Sequence, residues 1–185
     1  MAPAPRVGWD PSRLPAGLRD AAALLLVYPH REALAVPLTV RGTEMRSHTG
    51  QVSLPGGKVD EGESIESAAL REAAEEVGVA PAVVEILGRL TSLHIPVSGF
   101  HLHPVVGITD ARPRFEPASP EVARIIEAPL SLLGDPATVK RETRTLIRGG
   151  RSVDVDVPYF DIDGEKVWGA TAMILAEFLE LMARR

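Results

Sequence analysis

The segment LPGGKVDEGESIESAALREAAEEVGV, from Leu54 to Val79, constrains this chain more than any other. Ser64 is a natural N-cap and Gly78 a natural C′ residue, so the spacing predicts a helix between them. At about 100° per residue, Leu70, Ala73, Ala74 and Val77 fall on one stripe, while Glu72, Glu75 and Glu76 fall on the opposite side. One face must therefore meet a core, and the other gathers carboxylates that repel one another by about 0.2–0.5 kcal/mol per pair. Only Glu75 finds a cation, Arg71, at i±3 or i±4, and the residues upstream of Glu72, Ala68 and Ala69, are small enough to leave room for something to approach. An ordinary solvated face would carry more compensating Lys or Arg. A hard divalent cation such as Mg²⁺ or Mn²⁺ resolves the repulsion, since it prefers oxygen ligands and completes its shell with water or substrate phosphate.

The flanking sequence supplies a sheet for the apolar stripe to pack on. AAALLLVY (Ala21–Tyr28) and ALAVPLTVR (Ala33–Arg41) read as strands joined by a polar link around Pro29 to Glu32. Strand patterns follow the helix at VVEILGRLTSL and HLHPVVGIT, and again at SVDVDVPYF. SPEVARIIEAPLSLL reads as a short helix and loop, and GATAMILAEFLELMARR as a closing helix. Strands interleaved with helices predict an α/β or α+β fold, with a mixed sheet sandwiched between helices. With 185 residues, 45% of them hydrophobic, and no repeat or long linker, residues 1–185 are expected to form a single domain, the first 16 or so being an irregular, Pro-rich extension.

Composition narrows the partners. The net charge is −5 and no dense Lys/Arg block appears, so neither nucleic acid nor an anionic membrane surface is an expected partner. There is no cysteine, which removes disulfides, thiolate nucleophiles and Cys-type zinc sites and fits a cytoplasmic location. The apolar run Ala21–Tyr28 is too short to span a bilayer and lacks the basic flank and cleavage site of a signal peptide. Oligomeric state is not legible.

The helix and its leading loop resemble the Nudix box, G-x5-E-x7-R-E-U-x-E-E-x-G-U with U aliphatic. Here it reads Gly57, Glu63, Arg71, Glu72, Ala73, Glu75, Glu76, Gly78 and Val79. Ala73 is the one soft departure, small where a larger aliphatic residue is common. The resemblance implies a Nudix fold and hydrolysis of a nucleoside diphosphate linked to another group, with Mg²⁺ or Mn²⁺ as cofactor. It makes Glu72 and Glu76 the direct metal ligands, Glu75 a further ligand or the base that deprotonates water, and Arg71 the residue that orients the carboxylates. Glu63, Gly57 and Gly78 shape the motif, and the Gly56/Gly57 backbone is a candidate to lend a carbonyl to the metal.

The residues before the box resemble a second pattern, L-L-T-x-R-[SA]-x3-R-x3-G-x3-F-P-G-G, of the coenzyme A pyrophosphatase branch. Leu38, Thr39, Arg41, Arg46, Gly50, Pro55, Gly56 and Gly57 match with the spacing kept, while Pro37, Gly42 and Leu54 depart. The closing helix also looks like that of the branch. This implies a small-molecule substrate, CoA or a CoA thioester or oxidised CoA, cleaved to 3′,5′-ADP and 4′-phosphopantetheine. Arg41 and Arg46 are candidates for its phosphates, because guanidinium is always charged and binds phosphate in a bidentate manner. The alternatives are a Nudix hydrolase of another substrate, such as ADP-ribose, a dinucleoside polyphosphate or a nucleoside triphosphate, and a CoA-binding Nudix module without turnover.

Other residues read as bland. His101 and His103 share a face if HLHPVVGIT is a strand, with His94 nearby, but no acidic partner in register is visible and a zinc site is not expected. Glu116 and Glu121 lie where such hydrolases often place an additional acid, although SPEV puts Glu121 in a first helical turn. No G-x-S-x-G, G-x4-G-K-[ST] or G-x-G-x-x-G motif occurs, which removes support for serine hydrolases, P-loop enzymes and dinucleotide-binding folds.

Overall fold

The computed structural model describes residues 17–42, 51–96, 98–148 and 151–184. In chain order the elements are β1 (Arg19–His30), β2 (Ala33–Arg41), β3 (Val52–Ser53), β4 (Gly56–Lys58), α1 (Ile65–Val77), β5 (Glu85–Arg89), β6 (Leu93–Ile95) and β7 (Phe100–Ile108). They continue with β8 (Val122–Pro129), α2 (Leu130–Leu133), β9 (Val139–Arg148), β10 (Arg151–Ile162), β11 (Glu165–Val167) and α3 (Gly169–Ala183). The expected N-terminal extension lies outside the described residues.

β1 is the axis of a mixed sheet. It runs parallel to β7 along most of its length, from Arg19↔Phe100 to Val27↔Ile108, and antiparallel to β4 at Ala21–Ala23 and to β2 at Tyr28–His30. Its alternate residues feed two cores. Ala22, Leu24, Leu26 and Tyr28 pack with Ala68, Ala69, Ala73 and Val77 of α1, whereas Ala23, Leu25 and Val27 pack with Ala172, Ile174 and Leu175 of α3. A strand buried on both faces reads as an unbroken apolar run, which is why AAALLLVY has no polar alternation. Burying each of its leucines is worth about 1.5–3 kcal/mol. The second core also takes in Phe160, Ile162 and Val167 from the separate three-stranded sheet β11-β10-β9.

α1 has the predicted ends. The Ser64 side chain accepts from the Ser67 N–H, and Gly78 adopts φ +74° while Val79 N–H reaches back to Ala73. Its buried line is Ala68, Ala69, Ala73 and Val77, with Leu70 and Ala74 only half-buried. The small residues upstream of Glu72 therefore make room for the sheet, not for a ligand.

One strand-level expectation is corrected and another is refined. SPEVARIIEAPLSLL is not a helix: Val122–Pro129 forms β8, pairs with β2, and buries Val122, Ile126 and Ala128. The β-branched Val and Ile residues satisfy their backbone against an available strand edge, and only Leu130–Leu133 remains helical. VVEILGRLTSL is also two strands, β5 and β6, both paired to β7 on either side of a break at residues 90–92.

Candidate active site

The box loop and α1 are tied together by one guanidinium. Arg71 donates Nε and Nη2 to the two oxygens of Glu63, at 3.0 and 3.1 Å. Nη1 reaches Glu72 Oε1 at 2.9 Å and Glu75 Oε2 at 3.3 Å, and Nη2 also donates to the Lys58 carbonyl at 3.0 Å. Every N–H of the fork thus has an acceptor, so Arg71 is occupied as a positioning residue. This corrects the expectation that Glu72 lacks a cation within its own helix: its neighbour at i−1 folds back to reach it. Arg71 holds the Glu63 carboxyl below the usual range, and Glu63 in turn caps Asp60 N–H at 3.2 Å.

Glu72 and Glu76 face a different environment. Both line a cleft of about 500 Å³ together with Arg41, Lys58 and Glu121. Leu54, Ile95, Phe100, Leu102 and Ile174 give the same cleft an apolar lining. β4 has no side chains where the carboxylates pass it. A Cβ on Gly57 would lie 2.4 Å from the Glu72 carboxylate, and one on Gly56 would lie 2.4 Å from the Ala22 carbonyl. Gly56 N–H donates to Glu76 Oε2 at 3.1 Å.

Burial pushes both carboxyls up, and Glu76 reaches about 7. The Gly56 N–H and Arg41 oppose this rise, while Glu72 and Glu121 add to it. Glu76 was expected to face away from the core; it is instead half-buried at the edge between α1 and β4.

The donor set fits a hard divalent cation. It offers carboxylate oxygens and no nitrogen or sulfur, held beside a glycine whose missing side chain makes the space. The raised Glu76 carboxyl is what an acid shows when it is buried beside other acids with less positive charge than it needs.

Other expected residues fall as follows. Arg41 lines the cleft and donates Nη2 to Glu121 Oε2 at 2.9 Å, so its acidic neighbour is Glu121, in the turn before β8 and not in a helix. Glu75 is exposed, points back to Arg71 and is absent from the cleft lining. Glu116 pairs with Arg114 at the surface. Arg46 and Gly50 lie outside the described residues. Sequence reasoning missed the apolar lining, whose residues come from β6, β7 and α3 with no local signal, and it missed Asp20, which meets both His101 and His103. Among the described residues no helix is long and apolar enough to cross a membrane.

Residues 17–143 match the NUDIX domain. Over 114 residues, 61% of the chain, the sequence is 46% identical to an "Uncharacterized Nudix hydrolase NudL" of Enterobacter sp. (strain 638), and the match spans 59% of that relative's length. The NudL protein of Citrobacter koseri is 37% identical over 163 residues, covering 86% of this chain and 81% of that one. Among solved structures, the Nudix hydrolase RenU from M. smegmatis superposes with a TM-score of 0.63 over 90% of this chain and 86% of its own, at 19% identity, a likeness of fold alone. The chain belongs to the NUDIX domain family.

Proposed function

We propose that the protein is a divalent-metal-dependent hydrolase of the diphosphate bond in a nucleoside diphosphate derivative, and that the derivative is coenzyme A. The observation that carries the reading is the convergence of Glu72 and Glu76, half-buried and with raised carboxyls, on one cleft with Arg41. Nudix hydrolases generally use divalent metals, and Glu72 and Glu76 would hold Mg²⁺ or Mn²⁺ here. Such an ion supplies charge neutralisation at the diphosphate and a more acidic water.

The chain's own residues do the rest. Arg71 fixes the rotamers of Glu72 and Glu75 and locks the loop through Glu63. Arg41 binds a phosphate, and Arg46 is the second candidate for that work. Water forms a bond to one phosphorus, the bridging P–O bond breaks, and the products are 3′,5′-ADP and 4′-phosphopantetheine. The water's proton passes to a carboxylate acting as base. Glu121 lines the cleft close enough to raise the Glu76 carboxyl, which makes it a better-placed acceptor than Glu75. Most of the rate enhancement in such a displacement comes from positioning and electrostatics.

Support for CoA comes from the spacing of Leu38, Thr39, Arg41, Pro55, Gly56 and Gly57, and from a cleft lined by both charged and apolar residues. That mixed lining suits a ligand that carries both phosphates and a pantetheine arm. The test is a product assay on CoA, dephospho-CoA and ADP-ribose, with and without Mg²⁺ or Mn²⁺. Metal-dependent formation of 4′-phosphopantetheine from CoA is expected. Cleavage of ADP-ribose with CoA untouched would overturn the substrate, and CoA binding without any product would overturn the catalysis. Arg41→Ala and Arg46→Ala are expected to harm CoA more than dephospho-CoA if either reads the 3′-phosphate.

A further inference from the structure

The sheet face turned away from the cleft carries a second cluster. Along β7, Phe100 and Leu102 face the cleft, so His101 and His103 face the opposite side, where Val105 packs with the α1 core. The parallel register sets Asp20 of β1 beside His101. His103 Nε2 lies 2.9 Å and His101 Nδ1 lies 3.4 Å from the same oxygen, Asp20 Oδ1. Both imidazoles are largely buried, with 18% and 17% of their side chains exposed, and their ring centroids are 4.2 Å apart. The acidic partner that sequence reading did not find is therefore supplied by another strand.

We propose that Asp20, His101 and His103 form a second metal site, for a zinc-class divalent ion.

Three observations carry this. First, one ligand atom from each residue lies within 4.8 Å of the others. Bonds of about 2.0–2.2 Å in a tetrahedral shell place ligand atoms roughly 3.3–3.5 Å apart, so little closure is needed. Second, His101 Nε2 lies 2.8 Å from Ser92 Oγ. In the tautomer that carries its proton on Nε2, that hydroxyl accepts and the Nδ1 lone pair faces the Asp20 carboxylate. A cation between those two acceptors relieves their repulsion, and a hydrogen-bonded far nitrogen is how metal-ligating histidines are commonly oriented. Third, the donors are two nitrogens and one carboxylate, a borderline set that prefers zinc-class ions, whereas the cleft offers oxygen alone.

The register places His94 of β6 beside His101 on the same face. An ion held here would pin β1 to β7 at the point where their other faces, Ala21, Ala23, Phe100 and Leu102, form one wall of the cleft.

The test uses the full chain, stripped of metal and then saturated with Mg²⁺ to fill the carboxylates of the cleft, and titrated with Co²⁺ as a spectroscopic substitute for zinc. One equivalent should bind with visible absorption well above that of the aqueous ion. Asp20→Asn and His103→Ala should each weaken binding at least about tenfold, the scale on which even supporting residues of metal sites act, while Glu76→Gln should leave it unchanged. Asp20 is exposed, so its variant keeps the test decisive should His103→Ala fold poorly. Absorption no greater than that of aqueous Co²⁺, parent-like binding by Asp20→Asn, or loss of binding in Glu76→Gln would overturn the proposal.

Discussion

Glu63 and Glu76 belong to one motif and sit at opposite ends of the same cluster, yet they have opposite surroundings. Glu63 takes both arms of Arg71, caps Asp60 and has its carboxyl held low. Glu76 accepts a hydrogen bond from the Gly56 backbone N–H, and its carboxyl rises to about 7. A carboxylate that takes two arms of a guanidinium and caps a backbone N–H has both oxygens committed, and it shapes the loop. A half-buried carboxylate short of positive charge costs stability until a cation arrives. The difference separates scaffold from reacting site within a single box, and substitutions at the two ends should behave as opposites.

The largest contrast is expected in turnover. Glu76→Gln should lower kcat on the order of 10³-fold, about 4 kcal/mol, while its thermal midpoint at pH 8 stays level or rises. Glu63→Gln should do the reverse, losing less than about tenfold in kcat and measurably lowering the midpoint. Steady-state kinetics and thermal unfolding on both variants check this, and similar profiles for the two would remove the distinction.

The pH dependence of stability comes next. The folded chain holds the Glu76 proton more tightly than an unfolded one does, since its carboxyl is raised from 4.5 to about 7. Stability should therefore fall as pH rises from about 4.5 to 7 and level off above, a loss of at most about 3 kcal/mol. The raised Glu72 carboxyl adds to the same trend. Glu63 acts with the opposite sign: its contribution is present above the ordinary carboxylate range and is lost as pH falls through its lowered folded value. Denaturant melts between pH 4 and 9 should show the high-pH loss in the parent, less of it in Glu76→Gln, and recovery at pH 8 on adding Mg²⁺.

The paired glycines give a smaller effect. Gly57→Ala collides with the far end of the Glu72 side chain, which can swing aside, so stability should hold while activity drops roughly 10- to 100-fold. Gly56→Ala collides with the backbone of Ala22 and Ala23, which cannot move, so the fold itself should weaken by about 1–3 kcal/mol. Unfolding curves beside kinetics distinguish the two. The smallest change is expected for Arg71→Lys: a lysine offers three donors and no fork, and about 1–2 kcal/mol of stability should be lost with it.

These contrasts also show which parts were legible in the sequence. The box was readable because a loop and one helix bring Glu63, Arg71, Glu72 and Glu76 together through local spacing. β1 was readable as a buried strand because burial on both faces leaves a continuous apolar run. β8 was misread because Ser119 and Pro120 imitate a helix start, and nothing local reveals that the β2 edge is open to pair with it. The apolar lining and the Asp20 cluster depend on strand register between segments about 80 residues apart in the chain, which no periodicity encodes. The split between Glu63 and Glu76 was equally hidden: Glu63 lies in the loop before α1, and only the path of that loop brings it to the Arg71 guanidinium.

The account rests on Glu72 and Glu76 being held for a cation while Glu63 is held for Arg71. Mn²⁺ binding followed by electron paramagnetic resonance tests this most directly, in a chain also carrying Asp20→Asn so that the histidine cluster does not contribute. Glu76→Gln should weaken Mn²⁺ at least about tenfold and Glu63→Gln by no more than about threefold. Equal weakening by the two, or parent-like binding in Glu76→Gln, would contradict the account.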